Sequence, residues 1–439
     1  MYPNLYFFFK DVFGVEWQGL KIINSFGFFV AIAFIFSAWV LALELKRKQA
    51  QGLFTYTEQS IIIGKPASIS ELLINFLLGF LMGFKIIGGF LMANAFDDPQ
   101  AFIFSSKGNW FLGILMGLVF AGLKWHEKNK QKLAKPEERT VRIWPHDRVG
   151  DIVIYAAVFG FAGAKLFDIL EAPSSFFNSL KDVREGRQDA SSLIFSGLTF
   201  YGGLIVAALA ILYYARKNKV HLMHLVDAAA PAMMLGYAMG RIGCQVAGDG
   251  DWGIANSAFV STPDGHSIAA TAEQFTLAVQ NNAEYITRKF GSIENFQHHS
   301  VHSFLGLPNW FFGYTYPNNV VGDGVSLIGC KGQHCNYLPM PVFPTPLYEI
   351  IACSILFFIL WSLRKKIKVP GQMTGIYLIF NGTERFLIEK IRVNATYDIA
   401  GLKITQAEII SFLLVIAGIV LFTQSKKWFG KRAEEKLSN

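Results

Sequence analysis

The sequence predicts an all-α polytopic membrane protein of about nine transmembrane helices. The N-terminus is expected outside, the C-terminus in the cytoplasm, and one small module on the extracytoplasmic side. Three observations carry that expectation. Only 16% of the 439 residues are charged and 52% are hydrophobic, 41 of them phenylalanine, whereas a soluble domain has about 25% charged residues. Apolar stretches recur at about the 20-residue length that a helix needs to cross a bilayer. Basic residues gather on alternate sides of those stretches, as they do when positive loops stay in the cytoplasm. The formal charge of +8 is therefore read as loop placement, and no nucleic-acid partner is inferred.

The nine spans, in order, are Ile22–Leu45, Leu72–Phe96, Trp110–Trp125, Val149–Leu170, Leu198–Tyr214, Leu222–Ile242, Leu347–Leu363, Thr374–Ile391 and Gln406–Phe422. Lys46-Arg47-Lys48, the stretch from Lys124 to Arg148, Arg216-Lys217, Arg364-Lys365-Lys366 and Lys426-Lys427 follow the odd-numbered spans. The loops after the even spans carry no Lys/Arg excess, which sets the orientation. The opening MYPNLYFFFKDVFGVEW lacks the basic, apolar, small-residue order of a cleavable signal peptide. The first span is accordingly read as an uncleaved anchor.

These spans divide the chain into five parts. Residues 1–48 hold the first span of the core, and 49–148 an inserted two-span region with a basic cytoplasmic loop. Residues 149–248 form a transmembrane core, 249–346 the outer module, and 347–439 the last three spans. The polar stretch 249–346 is too long for a structureless loop and is expected to fold. Within it Cys330 and Cys335, in CKGQHC, are disulfide candidates on the oxidising side. Cys244 and Cys353, in or near spans, read as small packing residues. His298 and His302 in QHHSVH have the i,i+4 spacing of a metal pair, but no third ligand is fixed locally. Solvated histidines are the better reading. GDGDWG lacks the closing glutamate of a calcium loop. No metal and no cofactor are expected.

Ionisable residues within the bilayer cost about 2.5–3.5 kcal/mol each on the mildest scale, so each is a candidate for function. They are Lys85, Lys165, Asp168, Asp227, Arg241, Arg385 and Glu389. In NGTERFLIEKIRVN, Arg385, Glu389 and Arg392 are spaced i, i+4, i+7, which stacks them on one helix face. Arg241 lies at the outer end of the sixth span, so two arginine-bearing helices converge at one level. Guanidinium groups suit a phosphate ester, which they bind through parallel hydrogen bonds. The alternative is that Arg241 merely pairs with Asp249 or Asp251 and staples the loop.

The stretch around Arg241, GRIGCQVAGDGDWG (Gly240–Gly253), resembles the signature of the bacterial prolipoprotein diacylglyceryl transferase family, G-R-x-G-N-F-x-N-x-E-x-x-G. Four further stretches occur in the family's order. FYGGLI (Phe200–Ile205) resembles H-G-G-L-I, and FPTPLYE (Phe343–Glu349) resembles H-P-S-Q-L-Y-E. ERFLIEKIR (Glu384–Arg392) is similar to F-R-x-x-x-E-x-x-R, and ITQAEIIS (Ile404–Ser411) to S-M-G-Q-I-L-S. NSFGFFVAI, in the first span, resembles H-W-Y-G-L-x-Y. Residues from about Gln49 to Arg148 have no counterpart in the seven-helix family core. Cys244 stands where the signature has Asn, and one extra residue makes the glutamate position Asp249 or Asp251. Tyr201, Phe26 and Phe343 replace a histidine, a tyrosine and a histidine.

The resemblance implies transfer of a diacylglyceryl group from phosphatidylglycerol to the lipobox cysteine of a preprolipoprotein, with release of glycerol phosphate. It also implies a multi-pass place in the bacterial inner membrane, with the active site facing the outer leaflet. The partners are then phosphatidylglycerol, lipobox segments and the bilayer itself. Arg241, Arg385, Tyr201, Asp249 and Asp251 are the catalytic candidates. Arg241, Arg385, Gly202, Gly203, Glu389, Arg392 and Tyr348 are the candidates for holding substrate. Gly202 and Gly203 are expected to let a helix start or a headgroup approach the backbone. Tyr201 either acts on the thiol or packs and hydrogen-bonds lipid. Two other classes remain: a multispan phospholipid transporter, and a membrane scaffold without bond chemistry.

Overall fold

The computed structural model describes residues 1–92, 102–103, 105–188, 193, 197–330, 334–394, 396–399 and 402–435. Among these, nine long helices form where the apolar runs lie. They are α1 (Ser25–Ala50), α2 (Ile69–Leu81, continued by a wider turn over Met82–Ile87), α3 (Trp110–Lys130), α4 (Val149–Glu171), α5 (Phe200–Lys217), α6 (Leu222–Ala247), α7 (Thr345–Leu363), α8 (Gln372–Glu389) and α9 (Gln406–Glu435). Six are long and apolar enough to cross a membrane: α1, α2, α4, α6, α7 and α9. The ends of α3 and α5 are diluted by Lys and Arg, and α8 carries Glu384, Arg385 and Glu389. Residues 93–96, the end of the second expected span, lie outside the described residues. Ile69, Phe111 and Phe200 expose 86%, 74% and 73% of their surface, which hydrocarbon rather than water must cover. The chain is a polytopic helical membrane protein.

The all-α expectation needs one correction. Strands of two to seven residues pair in five two-stranded sheets among the described residues. The chain divides into two compact units, Met1–Glu44 with Met223–Asn439, and Leu45–Leu222.

In the second unit, Thr57–Ile63 pairs antiparallel with Glu137–Ile143, and the α2/α3 hairpin lies between these strands in sequence. Its helices meet through glycines. A Cβ on Gly79 would lie 2.4 Å from the Met116 carbonyl oxygen, and one on Gly117 would strike the Phe76 ring at 2.7 Å. Lys85 donates to the carbonyls of Phe102, Ser105 and Lys107. The α4/α5 pair has the same construction: Gly163 packs on Val206, and Gly202 on Phe167. Lys165 and Asp168 pair at 2.8 Å.

In the first unit, α8 and α9 approach through Gly375 and Gly418, each of whose added Cβ would meet the other's carbonyl oxygen. Asp227 of α6 accepts hydrogen bonds from Gly371 N (2.8 Å), Thr374 N (2.9 Å) and Thr374 Oγ1 (2.7 Å). It thereby satisfies amides that the start of a helix leaves unpaired. Residues 249–330 and 334–346 form short strand pairs and the helices Ala272–Asn281 and Ala283–Phe290. One core of this module gathers Phe275, Val279, Ile286 and Met340, and another Trp252, Tyr316, Leu338 and Val342. Cys330 and Cys335 are joined in a disulfide, while Cys244 and Cys353 are free and buried.

Candidate active site

The cap made by Asp227 sets the level of the arginines. Arg241 lies 14 residues beyond Asp227 on α6 (241 − 227), and Arg385 lies 14 beyond Gly371 at the start of α8 (385 − 371). At about 1.5 Å per residue both travel about 21 Å from the shared anchor. The two guanidinium groups therefore reach one height, and between them stands Glu349, in the first turns of α7.

Glu349 is fully buried. Its Oε1 accepts from the Tyr237 hydroxyl at 2.7 Å and lies 3.6 Å from Arg385 Nη1. Its Oε2 lies 3.0 Å from Arg241 Nε. Arg385 Nη2 reaches Glu389 at 3.1 Å, the i,i+4 pair that the helix spacing predicts. Arg241 also pairs with Asp251, and Asp251 in turn with Arg392. Burial pushes the Asp251 carboxyl up, but Arg241 and Arg392 outweigh it and hold the group down at about 2. Three arginines thus share Asp251, Glu349 and Glu389, and a removed partner would leave an uncompensated buried charge.

The glycines of the signature shape the loop that carries Asp251. Gly248 and Gly250 have φ of 65° and 99°, the left-handed region where glycine pays no Cβ penalty. Gly253 admits no side chain, because a Cβ there would sit 2.4 Å from the Ile391 carbonyl oxygen. That close approach lets Ile254 N donate to Ile391 O at 2.8 Å and Gly253 N to Phe343 O at 2.9 Å. Thr345 Oγ1 adds a bond to the Asp251 carbonyl at 2.8 Å. Asp249 accepts from Asp251 N at 3.3 Å. The loop that follows the hydrophobic helix is thus tied to the chain beyond α8 and to the start of α7, so its acid meets both arginines.

Arg241, Arg385, Glu389, Arg392 and Asp251 come together, with Asp249 beside them. Tyr348 is engaged elsewhere: its hydroxyl donates to Phe311 O at 2.6 Å and its ring lies 5.3 Å from that of Phe311. It braces α7 against the module. Tyr201, Gly202 and Gly203 begin α5 in the second unit. The expectation that a headgroup approaches the backbone at these glycines is corrected, because added Cβ atoms would meet Phe167 at 2.3 Å and the Gly160 carbonyl oxygen at 2.9 Å. Their space belongs to the α4/α5 contact. His298 pairs through the backbone with Ala255, and among the described residues no group of three His, Cys, Asp or Glu side chains could hold a metal.

Two carboxylates escaped sequence reasoning. Glu349 ends the FPTPLYE stretch, and Glu384 precedes Arg385 where the family pattern has an apolar residue. Glu384 is buried, and neither carboxyl oxygen has a hydrogen-bond partner. The rule that flags ionisable residues in apolar helices applies to both and would have found them.

Residues 109–424 match the family model described as prolipoprotein diacylglyceryl transferase. The chain belongs to this family. The matched stretch runs from α3 into α9, and so takes in residues 109–148, for which the motifs alone offered no counterpart. Relatives named phosphatidylglycerol–prolipoprotein diacylglyceryl transferase are similar along most of their length. One from Xylella fastidiosa (strain M12) is 26% identical over 339 residues, covering 74% of this chain and 91% of the relative. One from Chlorobaculum tepidum is 26% identical over 292 residues, covering 64% and 77%. One from Finegoldia magna is 24% identical over 348 residues, covering 77% and 100%.

Proposed function

We propose that this member of the prolipoprotein diacylglyceryl transferase family transfers the diacylglyceryl group of phosphatidylglycerol to the lipobox cysteine of preprolipoproteins. The observation that carries the proposal is the cluster in which Arg241, Arg385 and Arg392 surround Asp251 and Glu349. The cysteine thiolate attacks the glycerol CH2 that bears the phosphate. A C–S bond forms, the C–O bond breaks, and the electron pair stays on the departing phosphate oxygen. The leaving glycerol phosphate thus gains one negative charge, and the thiol proton passes to a base or to water. Preorganised cations stabilise such developing charge best in a water-poor site.

The lipid phosphate binds Arg241 and Arg385, and Asp251 on its glycine-hinged loop yields the guanidinium face it shares with Arg392. Asp251 is a weak base, because two arginines hold it ionised. Asp249, which accepts from Asp251 N on the same loop, is the other candidate acceptor for the thiol proton. A free thiol has a pKa near 8.5, so a few per cent is thiolate at neutrality and the demand on that base is modest. All nine long helices span the bacterial inner membrane with the N-terminus outside. That orientation, supported by the basic loops after odd-numbered spans, turns the cluster toward the outer leaflet. The test is incubation of the purified protein with phosphatidylglycerol vesicles and a lipobox peptide. A thioether-linked diacylglyceryl peptide is expected. Lipid movement without a thioether would point to a transporter instead.

A further inference from the structure

Arg392 uses Nη2 on Asp251, but its Nη1 is buried with no hydrogen-bond partner. A buried donor left unmade costs about 1–3 kcal/mol, and an arginine does not escape that cost by losing its proton. The same residue lines a cavity of about 210 Å³. A second cation, Lys289, lines another part of its wall. The Lys289 ammonium pairs with Asp323, whose Oδ1 also accepts from the Tyr285 hydroxyl at 3.1 Å. It lies 5.4 Å from the centre of the Trp252 ring and 5.9 Å from that of Tyr285, so ring faces and one carboxylate hold it in place. Gly250, in the hinge of the loop carrying Asp251, lines the same cavity.

The volume suits a small phosphate ester and not an acyl chain. The transfer turns one phosphodiester charge into the two of a phosphomonoester, which makes an added pair of cations favour product over lipid. We propose that this cavity is the exit subsite for the leaving group, a glycerol phosphate held between Arg392 and Lys289. The proposal rests on the transferase reading.

Calorimetric titration of the full-length protein in detergent with glycerol phosphate, then with inorganic phosphate, tests it. Lys289→Met is expected to weaken glycerol phosphate binding about tenfold, the effect of losing one charge-assisted hydrogen bond. Its product-inhibition constant should rise by the same factor, and Lys289→Arg should restore most of the affinity. Val393→Trp, at a half-exposed position on the cavity wall, blocks the space without removing either cation and should cause a similar loss. Equal affinities for wild type and Lys289→Met would overturn the subsite. So would inorganic phosphate binding as tightly as the ester, or a change confined to the KM for phosphatidylglycerol, which would make the cavity a headgroup pocket. Should the wild type form no thioether, the transferase reading fails, and the titration still decides whether the cavity binds a phosphomonoester.

Discussion

The helices of the second unit meet through missing side chains, whereas α6, α7 and α8 of the first meet through charge. At the α2/α3 seam an added methyl group would strike the opposite backbone, and the small residues allow close helix contact in an apolar medium. At α6/α7/α8 the interface carries Arg241, Glu349 and Arg385, with Tyr237 donating to the shared carboxylate. Contact between apolar surfaces does not require these groups, and burying them is costly. A membrane protein that needed only packing would build both regions in the first manner. Under the proposed function, the second unit lends support and the α6/α7/α8 interface carries the chemistry.

The largest effect is expected from breaking the charged interface at its centre. Glu349→Ala leaves two arginines without their shared partner, and loss of one member of a buried pair costs about 3–5 kcal/mol. Thermal denaturation should show that loss, together with absent thioether formation. A stable, active Glu349→Ala protein would mean that the arginines do not depend on it. Next comes Arg241→Lys, which keeps the charge but loses the planar fork. Turnover about 100-fold below wild type is expected, the scale on which preorganised donors act. Turnover equal to wild type would reduce the requirement to a point charge.

The spacing of Arg385, Glu389 and Arg392 was legible because the helix period alone places them on one face. The Arg241 level was legible from the length of its span. Glu349 is visible as a charge in an apolar helix, but its pairing with both arginines appears only when α7 is laid between α6 and α8. Asp227 looked like another intramembrane charge, and only the partner helix reveals it as a cap. The ribbon of Thr57–Ile63 with Glu137–Ile143 joins segments more than 70 residues apart (Ile63 to Glu137), and no local pattern announces such a pairing. Gly202 and Gly203 were visible as small residues, but a glycine does not say whether helix or lipid fills the space it leaves.

Smaller effects sharpen the contrast. Gly79→Leu should lower stability by about 1–3 kcal/mol, as forced overpacking does, while activity per folded molecule stays within about twofold. Loss of activity in folded Gly79→Leu protein would give the α2/α3 hairpin a part in the chemistry. Asp251 supplies a pH signature. Its carboxyl is held at about 2 in the fold against an ordinary value of 3.8, so its contribution is present above about pH 4 and lost as pH falls toward 2. The linked stability is about 2 kcal/mol. Asp251→Asn should flatten the denaturation profile in that window, and an unchanged slope would contradict the pairing with Arg241 and Arg392.

The central claim is that the arginines face charge on the departing phosphate and do not merely help to ionise the thiol. The most direct measurement is thioether formation by purified Arg385→Ala from pH 6 to 10. Raising the pH supplies thiolate but cannot replace a cation, so activity should remain far below wild type throughout. Recovery to the wild-type rate as pH passes the thiol pKa would contradict the claim.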